Sequence, residues 1–220
     1  MPLAQSRNGR ESRPTRRAET RAKILAAAER AFAQDGLAGG RTDAIAAAAG
    51  VNKALLYYYF KSKAGIYEAV IEEHLREFNQ QALAILNAPG PARTLLLRYV
   101  NLHFDFISRR RRHALLFQQL MMKGGKVPER LFRQYIAPRG EALQKLLMRG
   151  MLAGELRKED PVHTAVSLAA LVVFYFSAAP MLKLMGYANP YAEASLKRRK
   201  QAVLDFIRHG LFTNPGAPLT

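Results

Sequence analysis

The sequence predicts an all-α protein, a small three-helix unit followed by a longer helical unit. Apolar residues recur at helical spacing between clusters of helix breakers. No segment alternates with the period of two that a half-buried strand requires, and no internal repeat occurs.

Residues 1–17 hold Arg7, Arg10, Arg13, Arg16 and Arg17 among Ser, Pro, Gly and Asn, which predicts a flexible basic arm. From about Ala18 to Gln34, Ile24, Leu25, Ala28, Ala31 and Phe32 mark one apolar helix face. Asp35-Gly36 ends it, with Gly36 suited to a left-handed C-terminal position. Thr42 is the expected N-cap of a second helix ending at Ala49, and Gly50 breaks it. Lys53 to Tyr59 reads as a short third helix. Ser62 can cap a fourth helix reaching about Asn87, and Ala88-Pro89-Gly90-Pro91 stops it.

The next helix extends to about Arg110, with Pro91 suited to its first position. Another is expected from Arg112 to Lys123, and Gly124–Pro128 is a loop. That loop is no phosphate loop, because Leu120 stands where the first glycine of GxxxxGK is required. Helices from Pro128 to about Leu152, with a bend near Pro138-Arg139-Gly140, then Pro161 to about Leu184, then Pro190 to about Leu211, complete the chain. The expected organisation is therefore a basic arm (1–17), a three-helix unit (18–62) and a larger helical unit (63–220).

Composition narrows the function classes. The 220-residue chain is 49% hydrophobic and has no cysteine, which excludes disulfides, thiolate metal sites and cysteine nucleophiles and fits a reducing cytoplasm. The basic N-terminus lacks the apolar core of a signal peptide. Pro161 to Leu182 carries no Asp, Glu, Lys or Arg, long enough to raise a membrane span. Its His163, Thr164, Ser167, Ser177 and Pro180 favour a buried interface helix instead. The net charge of +17 is uneven: +7 over residues 1–63, −3 over 64–90, +10 over 91–150 and +3 over 151–220. Such a surface attracts polyanions, with nucleic acid the first candidate, although part of the 91–150 excess also suits a merely solvated face.

The segment RTDAIAAAAGVNKALLYYYF, residues 41–60, gives that attraction a geometry. Two helices joined by a short turn need a small residue at their crossing, which Ala46 provides. They need a turn residue tolerant of positive φ, which Gly50 provides, and apolar locks, which Ile45, Ala49, Val51, Leu56 and Phe60 provide. The spacing is that of a DNA-binding helix-turn-helix. Leu56 and Phe60, four apart, share the inward face. Lys53 with Tyr57, and Ala54 with Tyr58, then point outward. A tyrosine ring can lie along deoxyribose or a thymine methyl while its hydroxyl reaches phosphate. Lys53 can reach a guanine edge or phosphate, Lys63 can clamp the backbone, and Thr42 at a helix N-terminus can hold a second phosphate.

On these residues, together with RAKILAAAERAFAQDG before them and the long helix after Lys63, the segment from Ala18 to Val70 resembles the N-terminal domain of the TetR/AcrR family of bacterial transcriptional regulators. The resemblance implies DNA contacts at Thr42, Lys53, Ala54, Tyr57, Tyr58, Tyr59 and Lys63. Leu55 departs from the small or hydroxylated residue many members carry there, so it packs or touches a methyl group. The resemblance also implies a ligand-binding and dimerisation domain from about Lys63, and hence a homodimeric repressor released from a palindromic operator by a small molecule.

The remaining residues support both parts. The charge-free helix is apolar around most of its circumference, with Val166, Leu168, Leu171, Val172, Val173, Phe174 and Phe176. The last helix carries Ala202, Val203, Phe206, Ile207, Leu211 and Phe212 on one stripe. Two such helices from each of two subunits make a four-helix interface; completing a monomer core is the alternative. His103, Phe104, Phe117, Leu120, Met121, Met151, Tyr175 and Phe176 are the candidate lining of an adaptable apolar ligand cavity, although such residues at helical spacing are more often plain core. His103 and Asp105 face different sides of a helix, and no HxxxH or HExxH spacing occurs, so no metal or cofactor is expected. No catalytic constellation is present, so the chain is read as no enzyme. A nonspecific nucleic-acid-coating protein is the nearest competing reading.

Overall fold

The computed structural model of the chain describes residues 13–110, 116, 128–187 and 189–217. The chain divides into two compact units, Met1–Val70 and Ile71–Thr220. Among the described residues the only β-type pairing is an isolated antiparallel bridge between Leu156 and Phe212; everything else regular is helical.

The first unit holds α1 (Arg13–Gly39), α2 (Thr42–Ala49), α3 (Lys53–Phe60) and the start of α4 (Lys63–Leu86). Helix α1 begins at Arg13, so Arg13–Arg17 of the expected arm are helical; Arg7 and Arg10 lie outside the described residues. Gly36 adopts φ 67° and ψ −179°, interrupting the helical path before a further turn to Gly39. Positive φ is met there, as a glycine permits, but the conformation is extended in ψ rather than left-handed helical.

Gly50 does take the left-handed conformation, φ 67° and ψ 34°, and its N–H bonds back to the carbonyls of Ala46 and Ala47. The turn reverses the chain in three residues because of it. Thr42 is the first residue of α2 and not its cap; Arg41 occupies the cap position and offers no side-chain bond. Asn52 caps α3 instead, its Oδ1 accepting from Leu55 N at 2.7 Å. Ser62 caps α4, its Oγ accepting from Gly65 N at 2.9 Å. Ile24, Ala28, Phe32, Ile45, Ala46, Leu56, Phe60 and Ile66 close the core of this unit, with Phe32 and Tyr67 edge-to-face at 5.3 Å.

The second unit continues α4 and adds α5 (Ala92–Arg109), α6 (Glu129–Leu131), a π-helical turn Phe132–Ile136, α7 (Ala137–Leu152), α8 (Pro161–Ser177), α9 (Ala179–Leu184) and α10 (Glu193–Leu211). The expected helix from Arg112 to Lys123 lies outside the described residues except for buried, helical Leu116. Pro91 precedes α5 as its cap, so the helix starts one residue later than expected.

Two prolines explain where helices depart from the sequence reading. Pro138 has no N–H to give and crowds the carbonyl four residues back, so the preceding turn widens to an i→i+5 bond, Ala137 N to Phe132 O. The irregularity therefore falls before Pro138. Pro180 divides the expected single helix at Ala178, giving α8 and α9. The last helix starts at Glu193, three residues beyond Pro190. The core runs along α4, α5, α7, α8 and α10 through Phe78, Leu96, Val100, Phe104, Leu147, Leu168, Val172, Phe176, Val203 and Ile207. Among the described residues no helix is long and apolar enough to cross a membrane.

Candidate nucleic-acid interface

Helix α3 separates its two faces sharply. Leu56 and Phe60 are buried in the core of the first unit, which leaves Lys53, Ala54 and Tyr58 exposed and Leu55, Tyr57 and Tyr59 half-buried. Tyr58 is 59% exposed, which leaves much of a large apolar ring in water. The aromatic run is thus distributed around the helix at 100° steps, and of its four rings Phe60 is the one that reaches the core.

Each outward candidate has a definite setting. Lys53 Nζ makes an ion pair with Asp43 Oδ1 at 2.8 Å, linking the first turn of α3 to the first turn of α2. That pair raises the Lys53 pKa and lowers that of Asp43, through their hydrogen bond and their mutual attraction. Tyr57 points its hydroxyl at Thr42 Oγ1, 3.4 Å away, so Thr42 is largely covered and its hydroxyl faces α3. Leu55 is held by its backbone in the Asn52 cap. Lys63 gives one of its three donors to Ala38 O at 2.8 Å, fastening α4 to the end of α1.

The arginines of α1 join this surface. The Arg17 guanidinium lies 5.6 Å from the Tyr58 ring and 5.8 Å from the Tyr59 ring, and those rings meet edge-to-face at 5.6 Å. Arg21 lies 5.7 Å from the Phe60 ring. Arg16, Arg17, Thr20, Arg21, Tyr58 and Tyr59 line an open groove of about 900 Å³. Cation–π contact keeps a guanidinium spread over the ring face with its N–H groups able to reach phosphate. From sequence alone Arg16 and Arg17 belong to a flexible basic arm, and Arg41 and Lys61 carry no assigned role. Both of these are exposed, and Lys61 ends α3 at a positive φ of 65°. A cation at each outer end of the α2–α3 pair is the signal that marks them.

The family description "Bacterial regulatory proteins, tetR family" matches residues 24–70, and "Tetracyclin repressor-like, C-terminal domain" matches residues 93–207. The chain belongs to the TetR family. This TetR-family chain is 29% identical over 165 residues to the transcriptional repressor NicS of Pseudomonas putida, covering 72% of this chain and 76% of NicS. It is 31% identical over 165 residues to the regulator TtgR of Pseudomonas putida, covering 70% and 77% of the two chains. In fold it is similar to a putative transcriptional regulator from Saccharomonospora viridis in complex with choline, with a TM-score of 0.71 and 23% identity. That match covers 90% of this chain and all of the other. It is similar also to the regulator FadR of Bacillus subtilis in complex with stearoyl-CoA, with a TM-score of 0.69 and 18% identity, over 84% and 96%. The TetR-family assignment makes the α2–α3 pair a DNA-binding helix-turn-helix and the chain a transcriptional regulator.

Of the residues expected to line a ligand cavity, Phe104, Phe176 and Tyr175 form a contiguous set, while His103 lies against Phe78 and Tyr99. His103 stacks 4.9 Å from Phe78 and 6.0 Å from Tyr99, and burial holds its pKa down at about 3. Phe104 and Phe176 meet in the core at 5.2 Å. Tyr175 meets Phe176 edge-to-face at 5.6 Å and donates its hydroxyl to Pro190 O at 2.7 Å, with Arg199 over its ring. Met151 packs partly buried at the core edge. Phe117, Leu120 and Met121 lie outside the described residues.

The apolar helices α8 and α10 each have one buried and one open face. Thr164, Leu168, Val172 and Phe176 are buried, whereas Val166 and Phe174 are each 63% exposed and Phe206 is 66% exposed. A groove of about 490 Å³ between the two helices is lined by His163, Ser167, Leu171, Phe206 and Gly210, among others.

Proposed function

We propose that the chain is a homodimeric repressor that reads a palindromic operator through α3 and releases it on binding a small effector in the second unit. The observation that carries the DNA part is the division of α3. Two residues anchor it, and Lys53, Ala54, Leu55, Tyr57, Tyr58 and Tyr59 remain for the major groove, with Thr42 and Lys63 at the phosphate edges. Arg16 and Arg17 extend the charged track along α1. NicS is named as a repressor, and fold relatives are described in complex with choline or stearoyl-CoA, which supports a ligand-responsive reading in the cytoplasm.

The open apolar faces of α8 and α10 support dimerisation through the last helices, since exposed Phe174 and Phe206 would otherwise sit in water. Two-fold symmetry then sets two α3 helices into successive major grooves, about 34 Å apart or a modest multiple. Effector binding that shifts α4 would change that spacing. Moving a population from 99:1 bound to 1:99 requires about 5.5 kcal/mol of differential affinity.

Footprinting on the DNA flanking the chain's own gene tests this reading. A protected palindrome that survives excess bulk DNA is expected. Protection that bulk DNA abolishes would favour the nonspecific nucleic-acid-binding alternative.

A further inference from the structure

Arg139, in the first turn of α7, is a cation of the second unit that, among the described residues, is held by neutral groups. Its Nη1 donates to Asn79 Oδ1 at 2.8 Å, and its guanidinium carbon lies 4.9 Å from the Phe78 ring centroid. The Tyr99 hydroxyl stands beside it, and His103 shares the same aromatic surround. No carboxylate among the described residues bonds it. Glu72 pairs with Arg130, Glu77 with Arg110 and Asp105 with Lys200. Between Asp105 and Glu129 the sequence contains no acid that could serve.

The site is built rather than accidental. Asn79 is buried, and its amide is locked by donating Nδ2 to Tyr135 O at 2.6 Å. That carbonyl belongs to the π-helical turn that Pro138 imposes. The Asn79 oxygen is thereby aimed at Arg139, which fixes the guanidinium on the Phe78 ring. A guanidinium has five donors in a planar fork, and the bond to Asn79 leaves an edge of the fork for a further acceptor. Arg139 and His103 are only half-buried, so neither is sealed off by its neighbours. Burial lowers the pKa of both, which is the signature of cationic forms lacking a counter-charge.

We propose that Arg139 is the anchor for a carboxylate-bearing effector, whose headgroup receives the guanidinium fork beside His103 and whose apolar body lies along the aromatic surround of Phe78 and Tyr99. This assignment rests on the effector reading given above and specifies its chemistry. An anion supplies the missing counter-charge, whereas a cation of the same shape would meet Arg139 at close range and be repelled. The placement of Asn79 on α4 makes that helix part of the headgroup site, so the anion's arrival is felt by the element that follows the helix-turn-helix in the chain.

Matched trios test the chemistry: an alkanoate, the primary alcohol and the alkyltrimethylammonium of equal chain length, with an arylacetate trio beside the alkyl series. Each probe is added to the full-length protein up to about 1 mM, a range that reads weak affinities. Binding is followed by calorimetry and by operator release. At least one carboxylate is expected to bind about tenfold or more tighter than its alcohol, with the cation weakest. Arg139→Gln should bring the carboxylate to parity with the alcohol, and Arg139→Lys should restore part of the preference. Equal binding of carboxylate and alcohol in the unaltered protein, or no carboxylate binding at all, overturns the assignment and needs no variant to fold. An alcohol or ammonium probe that releases DNA would leave the effector reading standing while this assignment falls.

Discussion

Lys53 Nζ stands 2.8 Å from Asp43 Oδ1, so the cation that opens α3 is tied to an acid at the start of α2. Both side chains are more than half exposed, and the pair therefore contributes little to stability. In the proposed DNA complex its effect would fall on binding, since Asp43 would put a negative charge near phosphate and it occupies Lys53 in the free protein. Asp43→Asn should tighten operator binding several-fold and leave the melting temperature within a degree or two. It should also steepen the salt dependence by about one counterion. Fluorescence anisotropy across a salt series reads both quantities, and weaker binding by the variant would mean that the pair orients Lys53 productively.

Tyr58 and Tyr57 separate two kinds of contribution. Tyr58 is largely exposed, so Tyr58→Ala should reduce operator affinity by about 1–3 kcal/mol with unchanged thermal stability. Tyr57→Phe removes only the hydroxyl facing Thr42 and should lose less than Tyr57→Ala. Equal loss in both Tyr57 variants would assign the whole contribution to the hydroxyl.

Phe206 and Phe174 are the large exposed rings of α10 and α8. A glutamate at either position costs the isolated chain little, because the side chain already faces water. It would desolvate a charge in the proposed dimer interface, so Phe206→Glu should yield a monomer by analytical ultracentrifugation. Operator affinity should drop by about a hundredfold as bivalency is lost. A dimer that persists when both copies carry the Phe206→Glu substitution would relocate the interface.

Two histidines make stability acid-sensitive. His74 is buried, with Nδ1 3.4 Å from Arg110 Nη1; arginine can only donate, so Nδ1 is the accepting nitrogen. Burial first, then the Arg110 charge, lowers the His74 pKa to about 4, and burial lowers that of His103 to about 3. Both folded-state values lie below the ordinary 6.5. The unfolded chain therefore binds protons that the native chain refuses as pH falls below about 6.5, and stability drops until the folded pKa values are reached. Each histidine costs up to about 1.4 kcal/mol per pH unit in that window. Urea melts at pH 7 and pH 5 should show the loss, and His74→Gln with His103→Gln should remove much of the difference. An unchanged difference in the double variant would transfer the effect to the carboxylates.

The α2–α3 segment was the most legible part of the chain, because it is dictated locally. Gly50 alone accepts the left-handed turn without penalty, and Leu56 and Phe60 can share an inward face only if the tyrosines between them turn outward. The caps divided by local chemistry: Ser62 was readable, whereas Asn52 took the role at α3 and Thr42 was drawn inward toward Tyr57. In the second unit, periodicity told which residues are apolar but not which neighbour each would meet. Phe104 and Phe176 share that pattern with Tyr175, yet the first two meet in the core while the third, edge-on to Phe176, sends its hydroxyl to Pro190.

By itself the sequence determined the all-helical class, the turn, the outward aromatic face and the excess of positive charge, since these follow from residue type and spacing within a few turns. Tertiary structure alone decided the ion pair of Lys53 with Asp43, the stacking of Arg17 on Tyr58 and Tyr59, and the enclosure of Arg139 by Asn79, Phe78 and Tyr99. Arg139 lies 60 residues from Asn79. Such pairings depend on where distant helices pack, and no periodicity in one segment encodes the partner that another segment brings to it.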